Sequence, residues 1–194
     1  MSEQIKQLIA DSVSVKQQLL SDDAIIAQLD KVSNIIVEAF RNGKKVLFCG
    51  NGGSAADAQH LSAELSGRFY LDREALPAEA LHVNTSYLTA IANDYSFDVA
   101  YARLLKGLGH HGDIVIGLST SGNSANIVET FRAAKEKGII TIGFTGKTGG
   151  KLKELSDYLF NVPSTVTPRI QESHILLGHI ICQLVEERYF ATND

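Results

Sequence analysis

The stretch KVLFCGNGGSAADAQHLSAEL at residues 45–65 constrains the fold more than any other part of the chain. Its first five residues are a short apolar run bounded by a turn signal, which reads as a buried strand. Gly50, Gly52 and Gly53 allow a sharp turn and a close backbone approach to a ligand. Ser54 is a good N-cap residue, and Asp57 stands where a capping box places its acid, so a helix is predicted to open there. A helix N-terminus facing the turn offers free N–H groups and a partial positive charge, which suits a phosphate. His60, Glu64 and Arg68 follow at i, i+4 and i+8. They are predicted to share one face of that helix, which is expected to run to about residue 69.

The same alternation organises the rest. Helical spacing of Ile5, Leu8, Ile9, Val13, Val15, Leu19 and Leu20 predicts one amphipathic helix. Ile25, Leu29, Val32, Ile36 and Phe40 predict a second over about 22–42, ended by Gly43. Two helices are more than one small sheet needs as cover, so part of their surface is expected to pack between subunits. Further strands are predicted within 76–83 and over 113–118, 139–144 and 158–162. Helices are predicted from Asn84, over 97–107, from the turn Ser119-Thr120-Ser121-Gly122-Asn123-Ser124 to residue 137, and over 152–155. A long last helix is expected to be capped by Thr167, with Pro168 at its first position. Alternating helices and near-continuous apolar strands predict an α/β fold, a doubly wound five-stranded parallel sheet in three α/β/α layers. We read residues 1–194 as one domain, with 1–43 as N-terminal helices for oligomerisation and 44–194 as the α/β core. Ligands of such sheets bind beyond the carboxyl ends of the strands, where both glycine/serine turns fall.

A net charge of −4 and a pI near 5.9 argue against non-specific nucleic-acid binding. The N-terminus has no apolar core of a secretory signal, and no stretch is long and apolar enough to span a membrane. The expectation is a cytoplasmic protein whose two cysteines, Cys49 and Cys182, stay reduced in the core.

The second turn offers hydroxyls and backbone N–H groups at a helix start, with no lysine. That composition suits a phosphate monoester held by neutral donors, or else a serine-rich cap that serves only its own helix. Two other motifs fail. Gly50-x-Gly52-x-x-Ala55 fits a relaxed dinucleotide fingerprint, but the second strand ends His82-Val83-Asn84 without the required carboxylate. Gly146-Lys147-Thr148 resembles the tail of a Walker loop, but Thr141 stands where its first glycine belongs. His60 and Glu64, one turn apart, can converge on a metal or act as an acid/base pair, or they can be a solvated helix face. Gln171 and His179 lie eight residues apart, about 12 Å along a straight helix. For both to reach one ion, the side chains must lean inward or the helices must meet at a subunit boundary; otherwise His179 is a core histidine. His110, His111 and His174 are set outside the site.

NGGSAADAQHLSAEL, LTAIAND, STSGNS and RIQESHILLGHIICQLVE together resemble sugar isomerase (SIS) domains. Over nearly the whole chain the sequence is similar to the phosphoheptose isomerase family. The resemblance implies a cytoplasmic homotetramer with sites at or near subunit interfaces. It implies a zinc site at His60, Glu64, Gln171 and His179, and a sugar phosphate on Ser119, Thr120, Ser121 and Ser124. Asn51, Gly52, Gly53 and Ser54 would line the sugar, with Gln171, Arg68, Thr85, Asn93, Asp94 and Arg169 as further candidates. The implied reaction converts sedoheptulose 7-phosphate to D-glycero-D-manno-heptose 7-phosphate through an enediol, the first step of heptose synthesis for lipopolysaccharide core. Glu64 would be the base and His179 the partner acid. The alternative is a non-catalytic SIS regulator that binds a protein such as the replication initiator; such a module has no need of Glu64 and His179.

Overall fold

A computed structural model describes residues 2–191. Two N-terminal helices, α1 (Ser2–Leu20) and α2 (Asp23–Arg41), are joined at Asp22, whose carboxylate accepts hydrogen bonds from the amides of Ala24 and Ile25 and caps α2. The apolar positions of α2 are buried, Leu29, Val32, Ile36 and Phe40 among them. In α1 only Val15 and Leu19 are buried, while Ile5, Leu8, Ile9 and Val13 stay 46–60% exposed.

Five strands follow: β1 (Val46–Gly50), β2 (Ala78–Ala80), β3 (Ile114–Leu118), β4 (Ile140–Thr145) and β5 (Tyr158–Asn161). All pair in parallel, in the order β2-β1-β3-β4-β5. The two-residue period of a strand sends alternate side chains to opposite faces. Val46, Phe48, Ile114, Ile116, Ile142 and Phe144 pack with α1, α2, α3 (Gly53–Ser66) and α8 (Thr167–Tyr189). Leu47, Cys49 and Val115 pack on the other face with α5 (Ala100–Leu108), α6 (Ala125–Glu136) and α7 (Leu152–Leu155). The remaining helix, α4 (Thr85–Asp94), leads through a 3-10 turn at Phe97–Val99 into α5. The three predicted layers are therefore present, and both cysteines are free and buried. Among the described residues no helix is long and apolar enough to cross a membrane.

Several boundaries differ from the sequence-based expectation. The second strand is only three residues long. Residues 97–107 begin as a 3-10 turn rather than as α-helix. Val166, not Thr167, is the N-cap of α8, and no side chain caps that helix. Ser54 does not cap α3 either: the chain enters the helix two residues earlier, at Gly52 with φ +56°, and Ser54 is buried within the first turn. The last correction concerns reach. α3 ends at Ser66, where the Gly67 amide bonds back to the carbonyl of Ala63. Arg68 therefore lies past the helix and is exposed, off the face that carries His60 and Glu64.

The amino edge of the sheet is held by an ion pair between the half-buried Lys45 and the buried Asp113, Nζ to Oδ2 at 2.7 Å. The Asp113 carboxylate also accepts from the amides of Lys45 and His110. Burial alone would raise its pKa, but Lys45 and the two amides outweigh burial and hold it below the usual aspartate range. A depressed folded-state pKa contributes stability that is complete above the unfolded value of about 3.9 and is lost as pH falls through the folded value. Urea unfolding should therefore find Asp113→Asn less stable than wild type by about 1.5–3 kcal/mol at pH 7. That gap should narrow below about pH 4; an equal gap at pH 7 and pH 3 would show that the charge contributes nothing.

Candidate functional site

The order of the strands places a topological switch between β1 and β3, because β2 lies to one side of β1 and β3 to the other. Open α/β sheets bind ligands outside the carboxyl ends of the strands at such a crevice. The 50–54 turn follows β1 and the 119–124 turn follows β3, so both hydroxyl- and glycine-rich turns border it.

The two turns are tied together. Asn51 and Asn126 exchange reciprocal side-chain hydrogen bonds of 2.8 Å, and the Tyr101 hydroxyl donates to the carbonyl of Gly50 at 2.9 Å. Asn51 is thus committed to holding the turns, a task the sequence reading did not assign to it. Asn126 and Tyr101 were not anticipated at all; the Asn of STSGNSAN one step into the helix was the available signal for the first.

In the 119–124 turn, Ser119 is buried with its hydroxyl 3.0 Å from that of Ser124, while Thr120 is half-buried and Ser121 exposed. The Ser124 side chain does not cap α6; the Ile127 and Val128 amides turn back to the Ser124 carbonyl, which leaves the amides of Ala125 and Asn126 to face the turn. The neighbouring loop supports it. Gly146 N–H donates to the Thr120 carbonyl, Leu152 N–H to the Gly122 carbonyl, and Lys151 N–H to Asn123 Oδ1. The result is a set of neutral donors without a buried cation.

A second group joins α3 to α8. His60 and His179 bring their Nε2 atoms to 2.9 Å, and Glu64 Oε1 stands 3.0 Å from His60 Nε2. The donor atoms of His60, Glu64 and His179 all lie within 4.8 Å of one another. Two imidazole nitrogens that face each other beside a carboxylate need a proton or a cation between them, since two lone pairs repel. The donor set of two imidazoles and one carboxylate fits a divalent metal such as zinc. His179 is the site residue and His174 the core histidine. His174 is fully buried, bonds the Thr145 carbonyl through Nε2, and is pushed down to about 4 by burial. Burial also lowers the pKa of His179, as does His60, against the opposing pull of Glu64 and Asp57, so its imidazole is favoured in the neutral form. Asp57, one turn before His60, is raised by burial in spite of both histidines.

Gln171 opens onto the glycine turn: a Cβ at Gly53 would stand 2.9 Å from its Nε2. The turn at 53 and helix α8 can approach this closely only because residue 53 has no side chain. The weaker candidates have contacts of their own. Thr85 is exposed at the start of α4. Asn93 and Asp94 are exposed at its end, with the Asn93 amide on the Asp94 carboxylate. Arg169 is engaged elsewhere, donating to the Leu8 carbonyl and pairing with Glu172, so it fastens α1 to α8.

Comparison with known proteins gives a consistent result. The family model described as SIS domain matches residues 10–146. A phosphoheptose isomerase of Aneurinibacillus thermoaerophilus is 52% identical over 190 residues, covering 98% of this chain and 96% of that protein. Phosphoheptose isomerase 2 of Campylobacter jejuni is 51% identical over 186 residues, covering 96% and 92%. Among solved structures, a phosphoheptose isomerase from Neisseria gonorrhoeae superposes with a TM-score of 0.89 at 41% identity, covering 96% of this chain and 98% of that one.

Proposed function

The chain belongs to the SIS domain family and, within it, to the phosphoheptose isomerases, and on that basis we propose how its residues divide the reaction. The substrate is sedoheptulose 7-phosphate and the product D-glycero-D-manno-heptose 7-phosphate. The observation that carries this assignment of roles is the convergence of His60, Glu64 and His179 within 4.8 Å.

The phosphate sits on the hydroxyls of Ser119, Thr120, Ser121 and Ser124 and on the open amides of α6. Gly52, Gly53, Ser54 and Gln171 line the sugar, with Asn51 supporting the turn from its pair with Asn126. Glu64 takes a proton from C1 of the open-chain ketose. The electron pair closes the enediol, and a proton returns at C2. C1 is oxidised as C2 is reduced, so no co-reactant is needed. His179 relays the proton between the two oxygens; a neutral imidazole has both an N–H and a lone pair for that purpose. Glu64 Oε1 faces His60, and the second oxygen is the one available to the substrate.

His60, Glu64, Gln171 and His179 would hold zinc. When bound, zinc supplies Lewis acidity toward the sugar oxygens. The exposed apolar row of α1 supports a homotetramer, and the resemblance supports a cytoplasmic enzyme at the start of heptose synthesis for lipopolysaccharide core. A non-catalytic regulator has no use for the His/Glu convergence, and nothing in the site favours that reading.

Proton NMR with sedoheptulose 7-phosphate in D2O tests the reaction. Aldose anomeric signals should appear while deuterium enters beside the carbonyl. An unchanged spectrum, with zinc present and a tetramer verified by light scattering, would refute it.

A further inference from the structure

The last turns of α8 bury a carboxylate that the proposed chemistry does not use. Glu186 is 1% exposed. It accepts hydrogen bonds from the amides of Phe69 (3.1 Å), Tyr70 (2.7 Å) and Leu71 (3.0 Å) and from Arg73 Nε (2.9 Å). A carboxylate survives such burial only when it is fully paired. The Arg73 side chain is itself 4% exposed. Its Nη1 donates to the carbonyls of Leu65, Gly67 and Glu74, and its Nη2 to the carbonyl of Glu64 at 2.8 Å. The carbonyls of Glu64, Leu65 and Gly67 belong to the end of α3, where backbone acceptors lack helical partners, although the Leu65 carbonyl also accepts from the Leu76 amide.

The pair therefore has two outlets, and both are site residues. One is the backbone of Glu64, held by Arg73. The other is His179, because the Phe69 ring stacks on its imidazole with centroids 5.7 Å apart and planes at 28°. Phe69 is the first of the three residues whose amides Glu186 fixes. Glu186 and His179 are seven residues apart, two turns of α8, and so share its α3-facing side.

We propose that Arg73, Glu186 and Phe69 are positioning residues that hold Glu64 and His179 in their mutual geometry, an inference that rests on those two residues carrying the proton transfer. Without the buried pair the end of α3 frays, and without the Phe69 ring the imidazole of His179 is free to turn. The Lys45–Asp113 pair, a part-buried ion pair that makes no bond to Glu64, Phe69 or His179, serves as the control.

The test compares Glu186→Gln, Phe69→Leu, Phe69→Tyr and Asp113→Asn, each well below its own unfolding midpoint. Two readouts are used: steady-state kinetics and the ring-proton signals of His179, assigned by their loss in His179→Gln. Glu186→Gln and Phe69→Leu should lower kcat by about tenfold or more while KM moves within about twofold. Both should shift the His179 ring protons downfield, as the shielding of the stacked Phe69 ring is lost. Phe69→Tyr keeps the ring and should restore both readouts, and Asp113→Asn should move neither. Equal kcat for Glu186→Gln and Asp113→Asn, or unmoved His179 signals, would overturn the proposal. Absence of turnover by the wild-type protein would instead overturn the isomerase assignment, and the His179 signals then decide whether the three residues position that ring.

Discussion

Glu64→Gln should lower turnover of sedoheptulose 7-phosphate by about two to four orders of magnitude, the range that general acid–base catalysis contributes. Glutamine has nearly the same shape, so packing at this half-buried position should survive and the thermal midpoint should stay close to wild type. What is lost is the carboxylate lone pair that, in the proposed mechanism, takes the C1 proton. The change also removes a negative charge from beside His60 and His179, 3.0 Å from the former. Metal content must therefore be measured with activity, because loss of a ligand and loss of a base would otherwise look alike. A variant that keeps its zinc and still fails to exchange the C1 proton with solvent identifies Glu64 as the base. His179→Gln should show a similar deficit, and the double variant should be little worse than either single one, since residues that act as a unit are not additive. Wild-type exchange in Glu64→Gln would place the base elsewhere.

The second large effect is expected at Gly122. This residue has φ +66°, and a Cβ there would collide with the carbonyl of Gly149. The left-handed conformation costs a non-glycine residue about 1–2 kcal/mol. Forcing an added methyl into a packed contact costs about 1–3 kcal/mol more. Gly122→Ala should therefore lose about 2–5 kcal/mol of stability. Function should suffer in a particular way. Pushing residue 122 off Gly149 breaks the alignment of the 119–124 turn with the loop that supports it, including the bonds from Leu152 to Gly122 and from Lys151 to Asn123. If the turn holds the phosphate as proposed, KM should rise more than kcat falls, because donors to the phosphate bind substrate rather than move protons. Gly107→Ala is the control. A Cβ on that exposed helical residue meets nothing within 4 Å. It should gain about 0.5–1 kcal/mol, since alanine is the better helix former. Gly122→Ala with unchanged melting and unchanged KM would mean that the turn is not the phosphate cradle.

Much of the fold was legible along the chain. KVLFC, DIVIGL and IITIGF carry the continuous apolar character of buried parallel strands, and the structure places strands within or next to each. Errors arose where one strong local signal hid another. Ser54 and Thr167 have the chemistry of caps, but the chain enters each helix at an earlier residue, so neither hydroxyl reaches an open amide. Arg68 fits the i+8 spacing from His60, yet Gly67 stops the helix before it. That glycine is an ordinary stop signal and could have been weighed above the periodicity. The candidate site was legible in its parts: the two turns, the His60/Glu64 pair and the lone polar residues of α8. Its partnerships were not. Asn51 with Asn126 spans 75 residues, and Glu186 with Phe69 spans 117.

The succession of strands and helices, the glycine turns at the helix starts and the neutral hydroxyl character of the 119–124 turn can all be read along the chain. Each of these follows from backbone periods and turn chemistry that act over a few residues. Long-range packing is what brings His60 to His179 across 119 residues, lays Phe69 on that imidazole and makes His174 rather than His179 the core histidine. The physical reason is that α3 and α8 are both amphipathic cover for the same sheet face. Which of their polar residues confront each other depends on the strand order and on how the two helices pack over it, which no local period records.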